Sequence, residues 1–116
     1  MTPEDKKLLL KDISARLPYG VKCRQFKLDS QICTLAPVLL DEVENIEPYL
    51  RPMSSMTEEE RREYDKLIAK CIYDPEAYFF DNYDMLYDWL NAHHFDYRGL
   101  IEKGLALEAK EGMYKF

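Results

Sequence analysis

Glycine is scarce in this 116-residue chain, and its four copies are scattered at Gly20, Gly99, Gly104 and Gly112. No glycine-rich loop is left to cradle a phosphate. Cysteine is almost as rare. Cys23, Cys33 and Cys71 make an odd count with no Cys-x-x-Cys pair. That spacing argues against a disulfide framework and against a zinc site, and reads as small buried hydrophobes in a reducing compartment. Long apolar runs are missing as well. The three leucines Leu8–Leu10 fall short of a secretory core, and no run approaches the roughly 20 apolar residues of a membrane span. A cytoplasmic location, without a membrane partner, is expected.

Positive charge is under-represented. Lys and Arg number 16 against 22 Asp and Glu, for a net charge of −6. Residues 1–56 hold eight acids and eight bases, so the whole excess lies in residues 57–116, with fourteen acids and eight bases. An acidic half repels phosphate, so no nucleic-acid partner is expected. Lys22, Arg24 and Lys27 are the one basic cluster and read as the solvent side of a strand. Hydrophobic residues at 47% and charged residues at 33% place the chain among globular proteins, and its length suits a single domain spanning 1–116.

Local signals predict the elements. Thr2 caps a first helix, Pro3 suits its first position, and Glu4 and Asp5 face the positive end of its dipole. Leu9, Leu10, Ile13 and Leu17 form its apolar stripe, and Pro18 and Gly20 stop it. Val21 to Leu28 alternates with a slip of parity. A bulge near Arg24 or Gln25 would return its apolar residues to one face. Asp29-Ser30 reads as a turn and Gln31 to Ala36 as the second strand of a hairpin. Val38 to Val43 is expected as a third strand at an edge. Pro48 to Met56, with two prolines, reads as a connector lying against the core, Ser54-Ser55 as the turn at its end. Thr57 and Glu60 make a capping box for a helix running to about Tyr73, with Tyr64, Leu67, Ile68, Cys71 and Ile72 on its apolar face. Asp74-Pro75 ends that helix and opens the next, which runs to about His94 with Phe79, Tyr83, Leu86 and Leu90 aligned. The stretch from Tyr97 to Leu107 reads as a turn and a short element closing the core, and Lys110 to Phe116 as loosely held.

Two blocks, Pro48-Tyr49-Leu50-Arg51-Pro52-Met53-Ser54-Ser55-Met56-Thr57-Glu58-Glu59-Glu60 and Asp96-Tyr97-Arg98-Gly99-Leu100-Ile101-Glu102-Lys103-Gly104-Leu105-Ala106-Leu107-Glu108-Ala109, stand out. With Leu8 to Asp12, Ala15 to Tyr19 and Val21-Lys22, they resemble a family of short proteins of no assigned activity. That family occurs in gut Bacteroidales and in the phages and mobile elements associated with them. The resemblance implies a bacterial or phage cytoplasmic setting and carries no catalytic residue.

Three constellations have chemistry to offer. His93 and His94 project about 100° apart on a helix, so they do not face one metal together. A metal-dependent hydrolase would use His93, His94 and the aspartates, with His93 and Asp96 as its metal ligands, whereas capping of the helix end is the plainer reading. Asp81, Asp84 and Asp88 share a helix face, which is either a solvated row or a hard-cation site. Beside them, Tyr78, Tyr87 and Trp89 with Asp84 and Asp88 make a surface suited to a protein partner, aromatic anchors within a charged rim. Arg98, Arg51 and Lys22 are the cations that an anionic small ligand would meet, although Arg98 more simply ties Asp96 or a helix end.

The expected fold is α+β: an N-terminal helix, a small antiparallel sheet of two or three strands, then two or three helices on one face. The expected function is a non-catalytic binding module for a protein partner, without cofactor. A small anionic-ligand binder and a metal-dependent hydrolase are the alternatives.

Overall fold

The computed structural model describes residues 1–26, 31–73 and 79–114, without the side chains of Tyr73 and of residues 79–82. Tyr78, the Asp29-Ser30 turn, Leu28, Lys27, the Asp74-Pro75 junction, Lys115 and Phe116 lie outside the described residues, as does the side chain of Asp81. The fold is α+β. The regular elements are α1 (Pro3–Arg16), β1 (Lys22–Gln25), β2 (Gln31–Thr34), β3 (Ile46–Leu50), α2 (Glu58–Tyr73), α3 (Phe79–Ala92) and β4 (Leu107–Glu108). No helix among the described residues is long and apolar enough to cross a membrane.

Helix α1 starts as its sequence dictates: the Thr2 hydroxyl accepts from the Asp5 amide at 3.1 Å. Its stripe is less apolar than the leucines suggest. Leu9 and Ile13 are fully buried, Leu10 is 37% exposed, and the rest of the buried face is Asp12 and Arg16, both at 0%. Gly20, at φ 69°, turns the chain into β1.

The sheet has the order β2-β1-β3-β4. β1 runs antiparallel to β2 and β3, whereas β4 runs parallel to β3, so the sheet is mixed and four-stranded instead of antiparallel with two or three strands. No bulge interrupts β1. Its register is continuous from Lys22↔Thr34 to Gln25↔Gln31. Gln25, not Phe26, follows Val21 and Cys23 onto the buried face, and Phe26 stays 44% exposed with the Arg24 guanidinium 5.0 Å from its ring.

The predicted third strand is not one. Pro37–Asn45 is a 3₁₀ segment kinked at Glu42 (φ −116°, ψ 33°). Val43 is buried while Val38 is 72% exposed, so the helical segment buries an apolar residue without strand pairing. The third strand is Ile46–Leu50, and its last three residues fall in the stretch that reads as a connector. Pro48 sits inside it for a stereochemical reason. The Leu35 amide donates to the Val21 carbonyl at 2.8 Å. Alternation along an antiparallel ladder then aims the backbone groups of Cys23 at β2, away from Pro48 opposite on β3. β4 pairs with Tyr49 and Leu50, beyond the proline. The missing N–H is asked for on neither side.

Apolar packing divides into two clusters. Leu9, Ile13, Val21, Cys23, Val43, Ile46, Leu50, Leu100 and Leu105 join α1 and the 3₁₀ segment to the sheet. Leu86, Leu90 and Phe95, with Tyr64, Leu67, Ile68 and Trp89 against them, hold α2 to α3. The α2–α3 pair thus builds a core of its own where the sequence suggested helices covering a sheet face, and the molecule is elongated at 49 × 30 × 23 Å. β3 links the clusters. The Arg51 amide donates to the His94 carbonyl at 2.7 Å, and the Asp96 amide donates back to the Arg51 carbonyl at 2.8 Å.

The C-terminal segment is anchored, contrary to its expected looseness. The Tyr114 hydroxyl accepts from the Lys22 amide at 2.8 Å and donates to the Tyr49 carbonyl at 2.7 Å, and its ring stacks 3.7 Å from that of His94. Burial pushes the Tyr114 phenol up to about 12.

Candidate functional site

The C-terminal half of α3, at Tyr87 and Asn91, lies beside α1, and the turn after α3 returns over the pair. This arrangement opens a cleft of about 530 Å³ lined by Lys11, Ala15, Tyr87, Asn91, Tyr97 and Arg98. The charges beneath it are organised around one carboxylate. Arg16 Nε donates to Asp12 Oδ2 at 2.8 Å and Arg16 Nη2 to Oδ1 at 3.1 Å. Arg98 Nη1 donates to the same Oδ1 at 2.8 Å. Arg16 Nη2 also reaches the Phe95 carbonyl at 2.6 Å, while its buried Nη1 has no hydrogen-bond partner among the described residues. Two guanidiniums therefore share one carboxylate, and exposed Lys11 lines the cleft above them. The lining of the cleft carries Lys11 and Arg98 and no acid, in a chain of net charge −6.

Tyr97 fixes the wall of the cleft. Its ring lies 5.1 Å from the Arg16 guanidinium and 4.7 Å from that of Arg98. Its hydroxyl accepts from Arg98 Nη1 at 2.9 Å and donates to Asn91 Oδ1 at 2.8 Å. Both guanidiniums are thereby held against an aromatic face, which restricts the motion of Arg98 without neutralising it. The Arg98 side chain remains 20% exposed at the cleft. Tyr87, 45% exposed, lies 5.4 Å from Tyr97 with its ring tilted and forms the rim. Asp84 and Asp88 are exposed further round the same helix. Burial and the Asp88 carboxylate together raise the pKa of Tyr19, in the turn after α1.

The other residues singled out in the sequence take up different positions. Trp89 turns away from Tyr87 toward α2. Its indole donates to Glu63 Oε2 at 3.1 Å, and its ring stacks on His93 at 4.2 Å and Phe95 at 5.7 Å. Trp89 closes the helix pair and does not belong to the surface of Tyr87, Asp84 and Asp88. Arg51 is committed to Glu60 by two hydrogen bonds of 2.8 and 2.7 Å and lies 4.2 Å from the Phe95 ring centre. Lys22 is on β1 beside Tyr114. Arg98, Arg51 and Lys22 therefore do not converge. Arg98 ties Asp12, not Asp96 or a helix end.

The capping box is formed as read: the Thr57 amide donates to Glu60 Oε1 at 3.0 Å and the Glu60 amide to Thr57 Oγ1 at 3.1 Å. Arg51, which donates to the same carboxylate, holds it down at about 2, below its usual range. The histidines are spent on structure. His93 Nδ1 lies 2.8 Å from the Trp89 carbonyl. His94 has φ 62° and is buried, and desolvation, helped by Arg16 and Arg51, holds it down at about 4. Asp96 accepts from the amides of Leu100 and Ile101 at 2.8 and 3.0 Å and so organises the turn after α3. His93 and Asp96 thus serve separate structural tasks. Among the described residues, no group of three or more His, Cys, Asp or Glu stands where it would hold a metal ion.

Lys11, Ala15, Asn91 and Tyr97 are the cleft residues that the sequence did not single out. One signal for the network was present. Leu9, Asp12, Ile13 and Arg16 follow the three- and four-residue spacing of a buried stripe, with an acid and a base four apart inside it. The chain matches no protein-family model, no curated protein and no solved structure.

Proposed function

We propose that this chain is a non-catalytic binding module whose working surface is the cleft between α1 and α3, and that it receives a carboxylate-bearing segment of a protein partner. The observation that carries this reading is the local surplus of positive charge. Lys11 and Arg98 line a concave site above a carboxylate that Arg16 and Arg98 share. An acidic side chain entering the cleft meets a guanidinium already oriented by Tyr97 and Asp12, so little ordering is required on binding. Asn91 adds an amide, and Tyr87 supplies an aromatic rim against which an apolar neighbour of that acid packs. Asp84 and Asp88, exposed beyond Tyr87, disfavour a uniformly acidic segment and select one with its acid at the cleft and neutral or basic residues alongside.

Selection from a random peptide library against the immobilised chain tests this. The enriched peptides are expected to carry Asp or Glu next to an apolar residue. Lys11→Glu and Tyr87→Ala each weaken them by about tenfold, while Val38→Ala, on the remote 3₁₀ segment, leaves binding unchanged. Enriched peptides that bind the Lys11→Glu and Tyr87→Ala chains as tightly as the wild type would overturn the proposal. Displacement of the peptides by millimolar succinate would identify a free small anion, the alternative ligand, as sufficient for the site.

A further inference from the structure

We infer that Cys23 and Cys33 form an oxidisable dithiol, a modification site at which a small-molecule disulfide closes a covalent bond between β1 and the edge strand β2. The two cysteines are direct partners in the antiparallel register. Their sulfurs lie 3.6 Å apart, and both are free thiols. Directly opposed residues of an antiparallel pair have Cα atoms about 4.5–5.5 Å apart, inside the roughly 4.4–6.8 Å window a disulfide accepts. The backbone therefore needs no rearrangement, and closing the bond asks only for side-chain rotation. Cys71 offers no competing route, because it packs with α2 and α3 in the second cluster while Cys23 and Cys33 belong to the first.

The two thiols differ in access, and the difference orders the chemistry. Cys33 is partly exposed on β2, which ends the sheet, whereas Cys23 is 1% exposed. Oxidised glutathione serves as the oxidant. Cys33 releases its proton to solvent and its thiolate attacks one glutathione sulfur, forming a mixed disulfide and expelling one glutathione thiolate. Cys23 then releases its proton, and its thiolate attacks the Cys33 sulfur, forming the Cys23–Cys33 bond and expelling the second glutathione. Two protein thiols are oxidised and one glutathione disulfide is reduced to two thiols. Burial and the neighbouring Cys33 push the Cys23 thiol up to about 12, so the second step is slow at neutral pH and accelerates in alkali. The product pins an edge strand that otherwise holds to the sheet on one side alone.

Incubation of the folded chain with oxidised glutathione, followed by thiol counting in denaturant and peptide mapping, provides the test. Free thiols are expected to fall from three to one, with the intact mass reduced by two hydrogens and a Cys23–Cys33 cross-linked peptide recovered. Cys71→Ser keeps the cross-link, and Cys33→Ser abolishes it. Persistence of all three thiols, accumulation of a glutathione adduct with no internal bond, or a bond that includes Cys71 would each overturn the assignment. None of these outcomes bears on the α1–α3 cleft, so the two proposals stand or fall separately.

Discussion

Asp12 and Arg98 lie 86 positions apart in the chain and are joined by a 2.8 Å hydrogen bond at the base of the α1–α3 cleft. The Asp12 carboxylate is fully buried and is also held by Arg16. A carboxylate shared by two guanidiniums is well compensated, but each guanidinium depends on it. Asp12→Asn leaves Arg16, at 0% exposure, without its counter-charge, and stability is expected to fall by about 3–5 kcal/mol. Arg98→Gln leaves the Asp12–Arg16 pair intact and is expected to cost about 1 kcal/mol. Urea denaturation of the two variants checks the order; equal losses would contradict it.

The start of α2 concentrates two functions on one side chain. Glu60 completes the capping box with Thr57 and receives both hydrogen bonds from Arg51. Thr57→Ala removes one capping bond and is expected to cost about 1 kcal/mol. Glu60→Ala removes the cap and the partner of a guanidinium whose side chain is 15% exposed, and is expected to cost about 3 kcal/mol. Thermal unfolding of both variants provides the measurement, with the larger drop in midpoint at Glu60.

Acid should destabilise the fold in two stages. The His94 pKa falls from 6.5 to about 4 on folding, so the unfolded chain binds more protons between those values. The stability that neutral His94 contributes is fully present above about pH 6.5 and is lost as the pH falls toward 4. Glu60 falls from 4.5 to about 2, and its contribution is lost between those two values by the same linkage. His94→Asn retains a residue that tolerates positive φ while removing the imidazole. In this variant the decline between pH 6.5 and 4 is expected to flatten, with the decline at lower pH kept. Denaturation midpoints across the pH range decide the point, and an unaltered profile in the variant would contradict it.

Local signals made much of the fold legible. Thr2 and Pro3 mark α1, and Thr57 with Glu60 marks α2, because a cap is written within one turn of chain. The β1–β2 hairpin follows from alternation. β3 was hidden because Pro48 reads as a breaker, and its tolerance depends on β4 pairing only with the residues after it, a fact set by residues almost sixty positions away. β4 itself is two residues long, too short for any periodicity to show. Tyr114 looked loosely held because its hydroxyl partners, Lys22 and Tyr49, are distant in sequence. The cleft was legible in part. Tyr87 and Arg98 drew attention as an aromatic and a cation, but Lys11, Asn91 and Tyr97 become a site only when α1, α3 and the following turn meet.

Engagement of a partner at the α1–α3 cleft is the proposal on which the function rests. Its most direct measurement is an amide NMR titration of the labelled chain with a library-selected acidic peptide. Shifts centred on Lys11, Ala15, Tyr87, Asn91, Tyr97 and Arg98 are expected, with their loss in Lys11→Glu. Shifts centred instead on β2, on β4 or on the outer face of α2, with the cleft residues unmoved, would contradict it.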